Sequence, residues 1–93
     1  MAVQILLHSY LRPFAGGAAQ LRLAETPPTV ADLLHTLAQR HPGLYDRVVT
    51  ERGEIRPHVN LFVGSLHIRD LGGLDAPLAD GAEVHVLAAV SGG

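Results

Sequence analysis

Alternation of apolar and polar positions predicts a hairpin at the start of this chain. Residues 3–11 and 19–24 both show a period of two, the period of a strand with one buried face. In the first of these strands Val3, Ile5 and Leu7 are expected to point inward. The segment between the strands contains a proline and two adjacent glycines, which interrupt a strand and permit a loop. We therefore expect two antiparallel strands joined by a longer loop.

The apolar spacing then changes to three and four residues, which predicts an amphipathic helix. Its inward stripe comprises Val30, Leu33, Leu34, Leu37 and Ala38. Thr29 is suited to cap the N-terminus of this helix, and Asp32 lies near the positive end of the helix dipole. The sequence His41-Pro42-Gly43 predicts the end of the helix, and residues 44–49 are expected to add a short helical turn.

Further strands are predicted at residues 58–63, at 66–69 and from Glu83 onward. A hairpin, a helix and a last strand fit a sheet in which the last strand pairs in parallel with the first. The helix supplies the crossover that such a pair needs. We therefore predict an α+β fold, a β-grasp (ubiquitin-like) roll with a mixed four- to five-stranded sheet and one main helix packed on one face. Residues 1–93 are interpreted as a single domain, with residues 89–93 as a flexible C-terminal tail.

Composition narrows the range of functions. The chain has 93 residues, 47% of them hydrophobic, which is enough for one core without disulfides or a metal. It has no cysteine, and all seven basic residues are arginine, so no side chain offers a thiolate or a primary amine. The net charge of −2 argues against nucleic acid and an anionic membrane as partners. No signal peptide or membrane-spanning run is apparent, so we expect a soluble, cytoplasmic protein.

Neither the histidines nor the glycine pairs predict a binding site. The six histidines have no spacing that brings three or four metal ligands together, so we interpret them as surface residues and predict no metal site. Gly16-Gly17 and Gly72-Gly73 could form anion-binding nests, but neither pair has phosphate-loop spacing, and turns are the better interpretation. No serine or aspartate lies in a catalytic motif.

Two apolar residues are predicted on the outward face of the sheet. In the alternation of their strands Phe62 points away from Leu61, and Leu87 points away from Val86. If these strands are neighbours, Phe62 and Leu87 form an exposed apolar patch leading to the tail, of a kind that often binds a partner. The alternative is that a loop or residues 44–49 cover them.

The last predicted strand runs into Ser91, Gly92 and Gly93. A terminus is usually frayed and without function. Glycines lack a Cβ, however, so this tail can pass through a narrow channel of another protein, and the small side chain of Ser91 keeps the approach slim. Such a tail can place a C-terminal carboxylate beside ATP. Adenylation would then make the carbonyl carbon open to attack by sulfur or by an amine.

Several short motifs occur in order along almost the whole chain. They are Leu11-Arg12-Pro13 with Gly16-Gly17, Arg56-Pro57-His58-Val59-Asn60-Leu61-Phe62-Val63, Gly72-Gly73-Leu74, Ala79-Asp80-Gly81 and Ala88-Ala89-Val90-Ser91-Gly92-Gly93. With them the sequence resembles the ubiquitin-like sulfur carriers of the MoaD/ThiS family, closest to the CysO-like branch. Two departures are the apolar turn Gly64-Ser65-Leu66 and Ser91, where that branch more often has alanine.

The resemblance implies a carrier that is a protein cosubstrate and not an enzyme. Gly93 would be adenylated and converted to a thiocarboxylate by an adenylating and sulfur-transferring enzyme of the ubiquitin-activating type. That enzyme uses ATP, and the carrier itself binds no cofactor. Gly92 and Ser91 would thread the enzyme's active site. The thiocarboxylate would then supply a sulfur-accepting biosynthetic enzyme, which in the CysO-like branch is a cysteine synthase, with a zinc metalloprotease releasing the cysteine.

The resemblance leaves alternatives open. The chain could be the small subunit of molybdopterin synthase, or a ubiquitin-like modifier conjugated through Gly93 to target lysines. Because it has no lysine, it cannot form side-chain-linked polymers of itself, which favours the carrier. A third interpretation is a protein-interaction module in which the C-terminal tail takes part in no chemical reaction.

Overall fold

A computed structural model describes residues 2–88 of the chain. The strands are β1 Val3–Leu7, β2 Gln20–Leu23, β3 Val59–Val63, β4 Leu66–His67 and β5 Glu83–Ala88. The helices are α1 Val30–Arg40 and α2 Pro42–Val48, and short 3-10 helices span Arg12–Ala15, Ile68–Leu71 and Gly73–Asp75. The predicted tail, residues 89–93, lies outside the described residues.

The five strands form one mixed sheet in the order β2-β1-β5-β3-β4. β1 and β5 are parallel, and every other neighbouring pair is antiparallel. The last strand therefore lies beside the first, in the centre of the sheet. This arrangement confirms the predicted β-grasp fold.

One face of the sheet packs against both helices. The side chains that were predicted to point inward from β1 are buried, with Val3 and Ile5 at 0% exposure. α1 covers them with its apolar stripe, of which only Ala38 is half-buried rather than buried. α2 adds Leu44 and Val48 to the same core. No helix among residues 2–88 is long and apolar enough to cross a bilayer.

α1 begins and ends where the sequence predicts. The Thr29 hydroxyl accepts a hydrogen bond from the Asp32 backbone N–H at 3.3 Å and caps the first turn. The helix ends at Arg40, but the chain leaves helical geometry for His41 alone and enters α2 at Pro42. Proline is compatible with the first turn of a helix because its missing N–H would have no intrahelical partner there.

Two predicted strands end two or more residues earlier in the structure than the sequence predicts. β1 ends at Leu7, because the next residues turn into a 3-10 helix through hydrogen bonds such as Leu11 N–H to the His8 carbonyl, at 2.9 Å. Leu11 is still fully buried, so its hydrophobicity reflects packing from a turn rather than from a strand. The return strand stops at His67, because Ile68 begins another 3-10 helix.

Candidate functional site

β5 leads toward the predicted reactive end of the chain from the centre of the sheet. It is hydrogen-bonded to β1 along one edge and to β3 along the other, and Val84 and Val86 are fully buried. Its last residue, Ala88, lies opposite Val59. The pairing with β3 continues to Ala88, whereas the pairing with β1 ends at Val86, so the strand is held on both edges only as far as Val86. Ser91, Gly92 and Gly93 lie outside the described residues, and their roles stay predictions.

Phe62 and Leu87 lie on the face of the sheet opposite the helices. In the register of β3 and β5, Phe62 is opposite His85, and Leu87 is opposite Asn60. Directly paired residues point to the same face, so Phe62 and Leu87 are diagonal neighbours there. Both side chains are half-buried rather than fully exposed. The role of the two residues in binding a partner stays a prediction.

A third apolar side chain joins them. Leu6 of β1 is paired with His85, so it points to this same face, and it is half-buried. The three residues Leu6, Phe62 and Leu87 are called the open-face patch below. α2 does not cover the patch, because its buried residues pack into the core on the opposite face.

The ring of Phe62 is held in place by a short polar chain. Its centroid lies 5.0 Å from that of the His67 ring, with an interplanar angle of 76°. Nδ1 of His67 accepts a hydrogen bond from the Arg69 backbone N–H at 3.1 Å. The other ring nitrogen, Nε2, is therefore the donor to Oδ1 of Asn60, at 3.0 Å. A preformed aromatic side chain loses little conformational freedom when a partner binds it.

Two histidines adjoin Phe62 on this face, and one of them, His85, lies between Leu6 and Phe62. The sequence analysis did not predict this feature. His67 and His85 are the cross-strand partners of Phe62 on its two sides. His85 approaches Glu83 with 3.8 Å between Nε2 and Oε1, but both side chains are partly exposed, so this pair contributes little to stability. Alternation places His85 on the outward face, whereas placing His67 beside Phe62 requires the hairpin register.

Histidines and glycine pairs show no sign of a metal or phosphate site in the described part of the chain. Among residues 2–88, no three His, Asp or Glu side chains group as they would around a metal ion. Gly16 and Gly72 each end a 3-10 helix with a positive φ, of 68° and 100°. Their backbone conformation is therefore explained by helix termination, because only glycine adopts it without strain.

Comparison with known proteins identifies the family. Residues 5–93 match the ThiS family, a match that covers nearly the whole chain. The chain belongs to the ThiS family. This confirms the resemblance that the motifs indicate. The family match includes Gly92 and Gly93, which lie outside the residues that the structure describes.

Relatives of this ThiS-family chain have the same length and shape. It is 30% identical to the sulfur carrier protein CysO of Mycobacterium tuberculosis over 100% of both chains. It is also 30% identical to small archaeal modifier protein 3 of Haloferax volcanii, again over 100% of both. The crystal structure of the Amycolatopsis orientalis BexX/CysO complex contains a chain that superposes with a TM-score of 0.85 at 30% identity, covering 98% of this chain and 99% of that one.

Proposed function

We propose that this protein carries sulfur as a thiocarboxylate on Gly93. The observation that supports the proposal is full-length similarity to the sulfur carrier protein CysO, within a family match that includes the terminal Gly-Gly. Proteins of this kind are small carriers. The protein is then a cosubstrate whose reacting group is its own C-terminal carboxylate.

Two group transfers make the thiocarboxylate. A carboxylate oxygen of Gly93 attacks the α-phosphorus of ATP, the bond from that phosphorus to the bridging oxygen breaks, and pyrophosphate leaves. A hydrosulfide-level sulfur donor then attacks the acyl carbon, the carbon–oxygen bond to AMP breaks, and AMP leaves. The sulfur loses its proton and remains on the acyl carbon. Neither step changes an oxidation state, because the sulfur arrives fully reduced.

The composition of the chain restricts where sulfur can be held. It has no cysteine, so no side chain can carry a persulfide, and it has no lysine to compete as an internal nucleophile. In the proposal the acyl carbon of Gly93 is the only carrier atom. Gly92 and Ser91 pass through the active site of the adenylating enzyme, where bulk at these positions would prevent entry.

The open-face patch is proposed to dock the adenylating enzyme. Leu87 immediately precedes Ala88, and Phe62 is its diagonal neighbour opposite His85, so a partner that contacts both residues is near the residues that follow Ala88. Phe62 is also preformed by His67, as binding residues often are. The BexX/CysO complex supports the idea that a relative of this shape assembles with another protein. A cysteine synthase acting with a zinc metalloprotease is the acceptor system that we propose.

Intact-mass spectrometry tests the proposal. The purified protein is incubated with ATP, a sulfide source and the adenylating enzyme from the same organism, with a variant that lacks Gly93 as the control. We expect the full chain to gain the mass difference between sulfur and oxygen, and the shortened chain to gain nothing. An unchanged mass of the full chain, or an equal gain in the shortened one, would contradict the proposal.

A second candidate function has a specific observation in its favour, the 30% full-length identity to small archaeal modifier protein 3. An adenylated Gly93 could be captured by the amine of a target lysine instead of by sulfur. Immunoprecipitation of a tagged chain from its own cells distinguishes the two functions. Recovery of other proteins with this chain attached through an isopeptide bond would favour the modifier, whereas recovery of the thiocarboxylate alone would favour the carrier.

A further inference from the structure

A cleft of about 420 Å³ lies on the helix side of the sheet. The residues that line it and matter here are Tyr10, Phe14, Arg47, Arg56 and His58, and together they are called the arginine cleft. It is formed where the 3-10 helix after β1, helix α2 and the segment before β3 meet. The open-face patch lies on the opposite face of the same sheet.

The arginine cleft is formed partly by residues that follow or precede the two strands paired with the end of β5. His58 immediately precedes Val59, which is opposite Ala88. On the other side of β5, the backbone N–H of His8 donates to the Val86 carbonyl at 3.3 Å, two residues before Tyr10. Gly93 is the fifth residue after Ala88, and an extended chain of that length spans at most about 18 Å. A partner that holds Gly93 is therefore close to the cleft.

Neutral contacts fix both guanidinium groups of the cleft. The Arg47 guanidinium carbon lies 4.5 Å from the centroid of the Phe14 ring. Nε of Arg56 donates to the backbone carbonyl of Asp46 at 2.8 Å. These contacts orient the groups without neutralising them, and they leave the terminal guanidinium nitrogens available.

The cleft has an excess of positive charge. Within residues 2–88, no carboxylate lies within ion-pair distance of Arg47 or Arg56, although that of Asp46 also lines the cleft. His58 adds a ring N–H donor to the two guanidinium groups. The chain as a whole has a net charge of −2, so this positive region is local. Two guanidinium groups that line one cleft would attract an anion to this region.

We propose that the arginine cleft binds an acidic segment, a run containing Asp or Glu, of the enzyme that adenylates Gly93. This inference rests on the proposed function. Carboxylate side chains fit because a guanidinium presents paired donors to the two oxygens of a carboxylate. The cleft and the open-face patch lie on opposite sides of β5, so the enzyme would contact both faces of the sheet around the emerging strand.

The test measures binding rather than turnover. The dissociation constant for the adenylating enzyme without ATP is compared between the natural chain and the double variant Arg47→Gln with Arg56→Gln, at low and moderate salt. The control is Arg22→Gln, which removes one positive charge, half of what the double variant removes, on β2 opposite Gln4, at the other end of β1 from the cleft. Each single variant, Arg47→Gln and Arg56→Gln, is compared with it at equal charge. Circular dichroism and thermal unfolding verify that each variant is folded.

We expect the double variant to bind about tenfold more weakly at low salt and to lose most of its salt dependence. The Arg22 control should bind as the natural chain does, apart from a small general charge effect. Equal affinity and equal salt dependence in the double variant, or an equal loss in the control, would overturn the inference.

A second readout separates this inference from the proposed function. A hexaglutamate peptide is titrated into the labelled protein, and backbone amide shifts are followed by NMR. We expect amide shift changes around residues 10–14, 46–47 and 56–58 that disappear in the double variant. Shifts spread evenly over the surface would overturn the inference.

Adenylation is followed separately as ATP-dependent pyrophosphate release. Its absence, with the peptide still binding in the cleft, would contradict the proposed function and leave the cleft as an acidic-peptide site.

Discussion

The two faces of the central sheet use similar side chains in opposite environments. On the helix side, Leu61 and Val86 are completely buried. Their immediate neighbours in sequence, Phe62 and Leu87, are equally apolar but point to the open side and are half-buried. The first pair is explained by the core alone. Packing in the core does not explain Phe62 and Leu87, because a sheet with one solvated face ordinarily has polar residues on that face.

This contrast separates what builds the domain from what the domain presents. The buried face needs volume and hydrophobicity, and any well-packed aliphatic set would supply them. The open face holds Phe62 in a definite orientation against His67, although the Phe62 side chain is only half-buried. An apolar patch retained on the solvated face is thus more informative about partners than the core is. Predictions that alter one face at a time test this distinction.

The largest expected difference compares Leu61→Ala with Leu87→Ala, the same change on adjacent strands but opposite faces. Leu61 has 0% exposure, so its truncation should lower the free energy of unfolding by about 2–5 kcal/mol. The half-buried Leu87 should cost about 1 kcal/mol or less. Urea denaturation followed by far-UV circular dichroism measures both, since the chain has no tryptophan. Equal losses would show that both faces belong to one core.

Much of this fold could be predicted because local pattern and tertiary packing agree. The stripe of α1 and the inward residues of β1 follow periods of 3.6 and 2, and both are buried as expected. The errors occur where a buried residue lies outside regular structure. Leu11 continues the alternation of β1 but is buried from a turn, and nothing in the period distinguishes the two cases.

The site was less predictable, for a physical reason. Alternation places Phe62 and Leu87 on the same face once their strands are known to be neighbours. The arginine cleft, in contrast, brings together Tyr10, Arg47 and Arg56 from three separate segments. The proximity of these three residues depends on tertiary packing and on the 3-10 helix after β1. No local sequence pattern predicts it.

Phe62→Ala should separate docking from folding. We expect the affinity for the adenylating enzyme to fall about tenfold, equivalent to about 1.4 kcal/mol, because an oriented aromatic side chain is a typical hot spot. The free energy of unfolding should fall by only about 1 kcal/mol, because the ring is half-buried. Calorimetric titration and urea denaturation measure the two quantities.

Leu66→Ala is the matched control for that variant. Leu66 is the most exposed large apolar residue of the described chain, at 54%, and lies outside the open-face patch. Its loss should leave the affinity unchanged. If Leu66→Ala weakens binding as much as Phe62→Ala, the enzyme responds to apolar surface in general and the patch is not a specific site.

The smallest effect concerns the helix that covers the buried face. The Thr29 hydroxyl accepts from the Asp32 N–H and donates to the Asp32 carboxylate at 2.8 Å, so Thr29→Ala leaves a first-turn donor without its cap. We expect a loss of about 1 kcal/mol in the free energy of unfolding. Thr36→Ala makes the same change in the interior of α1, where alanine is the better helix former, so it should be neutral or stabilise by about 0.5 kcal/mol. Both variants should bind the adenylating enzyme normally, because neither residue belongs to the open-face patch or lines the arginine cleft. Weaker binding of Thr29→Ala, with normal binding of Thr36→Ala, would contradict this. It would show that the N-terminal cap of α1 affects the affinity for the adenylating enzyme.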